Sequence, residues 1–201
     1  NPASPEAARV SDGRPVPLAR LAPDRTAGAF GAQTVPLAFT AATLAGVNPT
    51  LSFPPDCMGA VGPSQFVVFV NGRIVTFNKT PGIADGYLPP DPDVFFASVL
   101  NGSTTSDPRI RYDRLTGRWF LIIINVDTPN RILLAVSDGL NGGAVLPQTV
   151  FTFFYIDIAT TPPAISSTCL ADYPTLGLDA NALYIGTNNF CGSPTQTFNS
   201  T

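Results

Sequence analysis

Residues 107–124 read DPRIRYDRLTGRWFLIII. An Asp opens the stretch, Ile110 and Tyr112 alternate with arginines, Asp113 leads the turn Asp-Arg-Leu-Thr-Gly, and an unbroken apolar run follows from Trp119. Alternation with period two, then turn chemistry, then a second apolar run describes a β-hairpin. The pattern recurs in residues 172–187 (DYPTLGLDANALYIGT), where Tyr184 follows Asp172 by twelve residues just as Trp119 follows Asp107. A looser copy, DCMGAVGPSQFVVFV, starts at Asp56, with Gly62-Pro63-Ser64 in place of the Asp-led turn and a second strand from Phe66. Self-similarity at about 50–65 residues is the mark of stacked or propeller-like units. Trp119 and Tyr184 are expected at equivalent buried positions.

Around each copy, further strands are legible. Residues 66–70 and 73–78 flank Asn71-Gly72, a pair suited to a type I′ hairpin turn. With residues 58–61 before them and 94–100 after, they make a first unit of four strands. Residues 109–112, 118–126, 131–137 and 150–156 make a second, separated by turns rich in Asp, Gly, Pro and Asn. The third unit offers only residues 175–178 and 182–189. The expected fold is therefore all-β, built of repeated four-stranded antiparallel meanders, β-propeller-like but incomplete, with a β-sandwich as the alternative. Three units are expected at residues 56–100, 107–157 and 172–201. Residues 1–54 read as an extended Pro/Ala-rich arm. The open third unit calls for other polypeptide to complete it, from a second copy or from the remainder of a longer protein.

Composition narrows the function. The 201 residues are 44% hydrophobic but only 12% charged, with a net charge of −3 and a single Lys. Phosphate binding needs clustered cations, so no nucleic-acid partner is expected. The arginine run 109–114 reads as the solvated face of a strand. No apolar run reaches the roughly 18 residues of a membrane span, so no transmembrane segment is expected. The start at Asn1 without Met reads as a processed or trimmed product. Cys169 and Cys191 flank the third hairpin and are expected to pair in an oxidising, extracellular or cell-surface setting. Cys57 is left over, as a free, buried thiol or, alternatively, bonded to a segment absent from this chain.

Three runs, at residues 55–63 (PDCMGAVGP), from Ser106-Asp107-Pro108 to Arg118-Trp119, and from Asp172-Tyr173-Pro174 to Tyr184, together resemble large secreted bacterial proteins with a β-propeller-type N-terminal region. The resemblance covers about residues 55–190. It implies an exported or cell-surface protein with repeated four-stranded blades, in a group whose members mostly have no assigned activity.

Chemistry is scarce. With no His, the chain holds neither a Ser-His-Asp nor a Cys-His nucleophile pair, and no His-ligated metal. No cofactor and no metal are expected. Asp56, Asp107 and Asp172 hold the same place in the three copies, where carboxylates could bind a cation or polar ligand; turn-stabilising acceptors are the simpler reading. Asp85, Asp91 and Asp93 lack an EF-hand pattern. Asn78, Asn101 and Asn199 head Asn-X-Ser/Thr triplets, acceptors for glycosylation where the host performs it. The aromatic run holding Phe151, Phe153 and Tyr155 offers either core packing or an interface. The function expected is a noncatalytic secreted or surface module acting in assembly or adhesion. The alternative is the N-terminal part of an extracellular carbohydrate-active hydrolase, in which Asp107, Asp172, Arg109, Arg111 and Tyr173 would be the available cast.

Overall fold

The computed structural model describes residues 37–102, 104–192, 195 and 197–200. Three antiparallel sheets stand in chain order, and none closes into a barrel. The first holds β1 (Met58–Val61), β2 (Gln65–Val70) and β3 (Arg73–Asn78). The second holds β4 (Thr105–Asp113), β5 (Arg118–Asn125), β6 (Arg131–Ser137) and β7 (Phe151–Asp157). In the third are β8 (Leu170–Leu178), β9 (Leu183–Cys191) and β10 (Thr197–Ser200). Each sheet is a meander in which neighbours in sequence are neighbours in space. The first strands also form a row, because β4 lies against both β1 and β8. This is an all-β stack, consistent with an incomplete propeller or a sandwich.

The middle sheet is apolar on both faces, which explains the unbroken run after Trp119. Trp119, Leu121 and Ile123 join Val67, Phe69 and Ile74 in one core, on the side of the first sheet. Ile122 and Ile124 face the other way, into a second core with Ala171, Leu176 and Cys169 of the third sheet. A strand buried on both faces has no polar side to alternate with.

Three expectations need correction here. Residues 94–100 do not form a fourth strand; Pro92–Phe95 is a short helix, α1. Asp91 caps it by accepting the Asp93 N–H at 2.9 Å, and Pro92 sits in its first turn, the arrangement that starts helices. Phe95 and Phe96 are thereby buried, and Phe95 meets Phe151 and Phe153 edge-on with ring centroids at 5.2 Å. Second, the edge of β9 is not left open along its length. The chain's own β10 pairs with residues 189–191 of β9, so the third sheet is three-stranded, and part of the edge assigned to other polypeptide is filled from within.

The third correction concerns register. Bulges interrupt β4 between Ser106 and Arg109, and β8 between Asp172 and Thr175. The residues at positive φ in these bulges are Asp107 (59°) and Tyr173 (48°), and each precedes a proline. Structurally, Asp107 therefore corresponds to Tyr173 rather than to Asp172. The turn closed by the Asp179 N–H to the Ala182 carbonyl is also shorter than the one in which Asp113 pairs with Arg118. Leu183 ends up in the place of Trp119, and Tyr184 on the opposite face, 54% exposed against 1% for Trp119. A slip of one residue turns a strand side chain over.

Residues 37–55 run without regular strands across the outer face of the first sheet. Phe39 packs on Phe77 at 4.9 Å, Ala41 joins the cluster of Val68, Val70, Val75 and Phe77, and the Arg73 Nε donates to the Pro49 carbonyl at 2.9 Å. Residues 1–36 of the expected arm lie outside the described residues. The disulfide Cys169–Cys191 forms and ties the start of β8 to the end of β9. Cys57 is free but exposed, not buried. It lies just before β1, outside the apolar interior. No helix among the described residues is long and apolar enough to cross a membrane.

Candidate functional site

The most connected polar region lies where the three first strands begin. Asn71, between β2 and β3, is 6% exposed. Its amide nitrogen donates to the Pro54 carbonyl at 2.9 Å and to Asp56 Oδ2 at 2.7 Å, and its Oδ1 accepts the Asp107 N–H at 2.8 Å. This use of the side chain goes with a change in the turn. Gly72 takes φ of 72° while Asn71 is not among the positive-φ residues, so the turn is not type I′. Only glycine fits at 72, since a Cβ would stand 2.1 Å from the Thr50 carbonyl oxygen.

Asp107 passes the connection onward. Its Oδ2 accepts the Tyr173 N–H of the third sheet at 3.1 Å, and its Oδ1 accepts the Ser106 hydroxyl. A second asparagine repeats the device. Asn130, 2% exposed and also between a second and third strand, accepts the Ala171 N–H on Oδ1 at 3.0 Å. In both cases a turn asparagine of one sheet holds the backbone that enters the next. The buried Asp107 and Ala171 amides would otherwise lack these partners, at about 1–3 kcal/mol each.

Of the three aligned carboxylates, the fold brings two together. The Asp56 and Asp107 carboxyls lie near each other. Burial pushes the Asp56 carboxyl above the usual carboxylate range, and the neighbouring Asp107 carboxyl pushes the same way, against Asn71 and the Arg109 guanidinium. Asp172 lies opposite Asn188 of β9 and is not linked to that pair. Among the described residues no cluster of three His, Cys, Asp or Glu side chains could hold a metal ion. Asp85 bonds Gln65 and Thr76, Asp91 caps α1, and Asp93 accepts from Thr105. Asp113 and Asp179 are turn residues; N–H and hydroxyl donors in their own turns hold both below the usual range, the Thr116 hydroxyl leading for Asp113 and the Asn181 N–H for Asp179.

Beside the carboxylate pair stand Arg109 and Arg111, two residues apart on β4 and therefore on one face. Arg109 is not a solvated strand residue. It is 6% exposed, with its guanidinium 4.2 Å from the centre of the Tyr173 ring. Arg111 is exposed, as expected. A cleft of about 510 Å³ opens along these arginines, bounded by Met58 and by Thr175, Gly177 and Tyr184 of the third sheet.

A second cleft, about 590 Å³ and mostly apolar, lies on the outer face of the first sheet between residues 41–57 and Met58, Phe66, Val68 and Val70. At its rim Phe53 is 88% exposed and Leu44 55%. Sequence reading did not find this face, because residues 41–55 carry no strand pattern.

The other expected sites are placed as follows. Phe151 and Phe153 are half-buried against α1, whereas Tyr155 is exposed beneath the Arg131 guanidinium, 4.1 Å from its ring centre. Asn78 is exposed at the end of β3, Asn101 is half-buried, and Asn199 is exposed on β10.

No family model, no curated protein and no solved structure matches the chain. The likeness to large secreted bacterial proteins rests on the three quoted motifs alone.

Proposed function

We propose that this chain is a noncatalytic, secreted or cell-surface module that works by assembly, and that the outer face of its first sheet is the joining surface. The observation that carries the proposal is the open apolar cleft on that face, rimmed by the side chains of Phe53 and Leu44. Inside the molecule, the two faces of the middle sheet are each covered by another sheet. Among the described residues, the first sheet's outer face is covered by residues 37–55 alone, and incompletely. Apolar patches with polar surroundings mark protein interfaces. Few charges oppose close approach, and the disulfide supports an oxidising location.

Sedimentation velocity over a concentration series tests the reading. The wild-type chain should associate in the micromolar range, and Phe53→Glu, which puts a charge on an already exposed position, should weaken association without lowering the melting temperature. A chain that stays monomeric throughout, or a Phe53→Glu variant that associates as well as wild type, would refute it.

A further inference from the structure

We propose that the cleft along Arg109 and Arg111 is a binding site for a carboxylate-bearing sugar of the uronate class. Neither guanidinium has an acidic partner within salt-bridge distance among the described residues. Arg109 donates from Nη1 to the Pro108 carbonyl at 2.6 Å, and Arg111 from Nη1 to the Ile110 carbonyl at 2.9 Å. Most of their remaining donors are uncommitted to any acid. Asp56 and Asp107 offset part of the charge of Arg109, since its guanidinium acts on the Asp56 carboxyl, but no acidic residue lines the cleft itself. A buried guanidinium beside a second, exposed one is arranged to meet an anion, and its planar fork matches a carboxylate.

The walls point to a ring rather than a bare ion. The cleft's 510 Å³ lies within the usual range for small-ligand sites. Gly177 and Gly186 present no side chain, the Thr175 hydroxyl is held by the Gly186 carbonyl and N–H at 3.2 Å each, and the exposed Tyr184 offers an aromatic face with a polar tip. Tyr184 keeps its place through a hydrogen bond from its hydroxyl to Asp179 at 2.9 Å. Such binding would stand whether or not the chain self-associates.

The probe is trigalacturonate, measured by calorimetry on the full chain against its methyl ester, which keeps the rings and removes the charge, and against inorganic sulfate. The acid should bind at least about tenfold more tightly than the ester, the ratio expected for charge-assisted hydrogen bonds. Arg111→Gln, at an exposed position, should lose about tenfold in affinity while its thermal melt stays at the wild-type value. Equal binding of acid and ester, sulfate competing as well as the sugar acid, unchanged affinity in Arg111→Gln, or no binding of the acid at all would each overturn the proposal.

Discussion

Replacing Gly62 with alanine would place a methyl carbon 2.3 Å from Cζ2 of Trp119 and 3.0 Å from Cη2. The ring has little freedom to withdraw. It is 1% exposed, its Nε1 donates to the Gly143 carbonyl at 2.8 Å, and Tyr112 packs on it with centroids 4.8 Å apart. Gly143 in turn is pressed by Tyr112, whose hydroxyl would stand 2.2 Å from a Cβ there. Overpacking of this kind costs about 1–3 kcal/mol. Because Gly62 does not lie at positive φ, alanine also restricts the unfolded chain and returns about 0.4–1 kcal/mol. The net expected loss is about 1–2 kcal/mol, read from urea melts with an unchanged m value. Trp119 is the sole tryptophan, so its fluorescence reports the wild-type and Gly62→Ala transitions directly. In a Trp119→Phe background the clashing atoms are gone, and Gly62→Ala, followed there by circular dichroism, should cost less than about 0.5 kcal/mol, an ordinary surface value. Equal losses in both backgrounds would show that the glycine matters for its backbone and that this contact is not what joins the first two sheets.

Two further outcomes follow from polar links. Gln65, 4% exposed, accepts the Val145 N–H at 2.7 Å and donates to the Val145 carbonyl at 2.8 Å, so Gln65→Ala should destabilise by about 2–4 kcal/mol in the same melts, while a loss under about 1 kcal/mol would mean that water replaces the clamp. Since the Asp56 carboxyl is raised in the folded state, its protonation favours folding below the ordinary carboxylate pKa, and that advantage is lost as pH climbs through the raised value; Asp56→Asn should therefore gain in relative melting temperature between about pH 3 and pH 7, and a difference that is flat or falls with pH would contradict the placement of Asp56 beside Asp107.

Long apolar strands were legible because burial leaves a direct trace in composition: β2, β5, β6 and β7 fall where their Val, Ile, Leu and Phe runs place them. Strand β10 was missed because Thr197–Ser200 has one aromatic among polar residues and pairs briefly at an edge. The Val-Phe-Phe run read as a strand, although Asp91-Pro92 ahead of it carried the start signal of α1. Tyr184 was assigned to the wrong face by counting from the first Asp, since a shorter turn breaks the count. For Asn71 and Asn130 no local signal exists. Their partners, Asp107 and Ala171, lie 36 and 41 residues away, and in sequence both look like ordinary turn residues. The arginine cleft was hidden for the same reason: alternation puts Arg109 and Arg111 on one face but does not say that a third sheet will cover Arg109.

The asparagine links run in one direction along the chain. Asn71 and Asn130 each precede the strand that they hold, so the acceptor always belongs to the earlier sheet. Each of these asparagines fixes where the backbone of the following sheet enters, so a change at either turn acts on two sheets at once, the one that carries the side chain and the one whose N–H it holds.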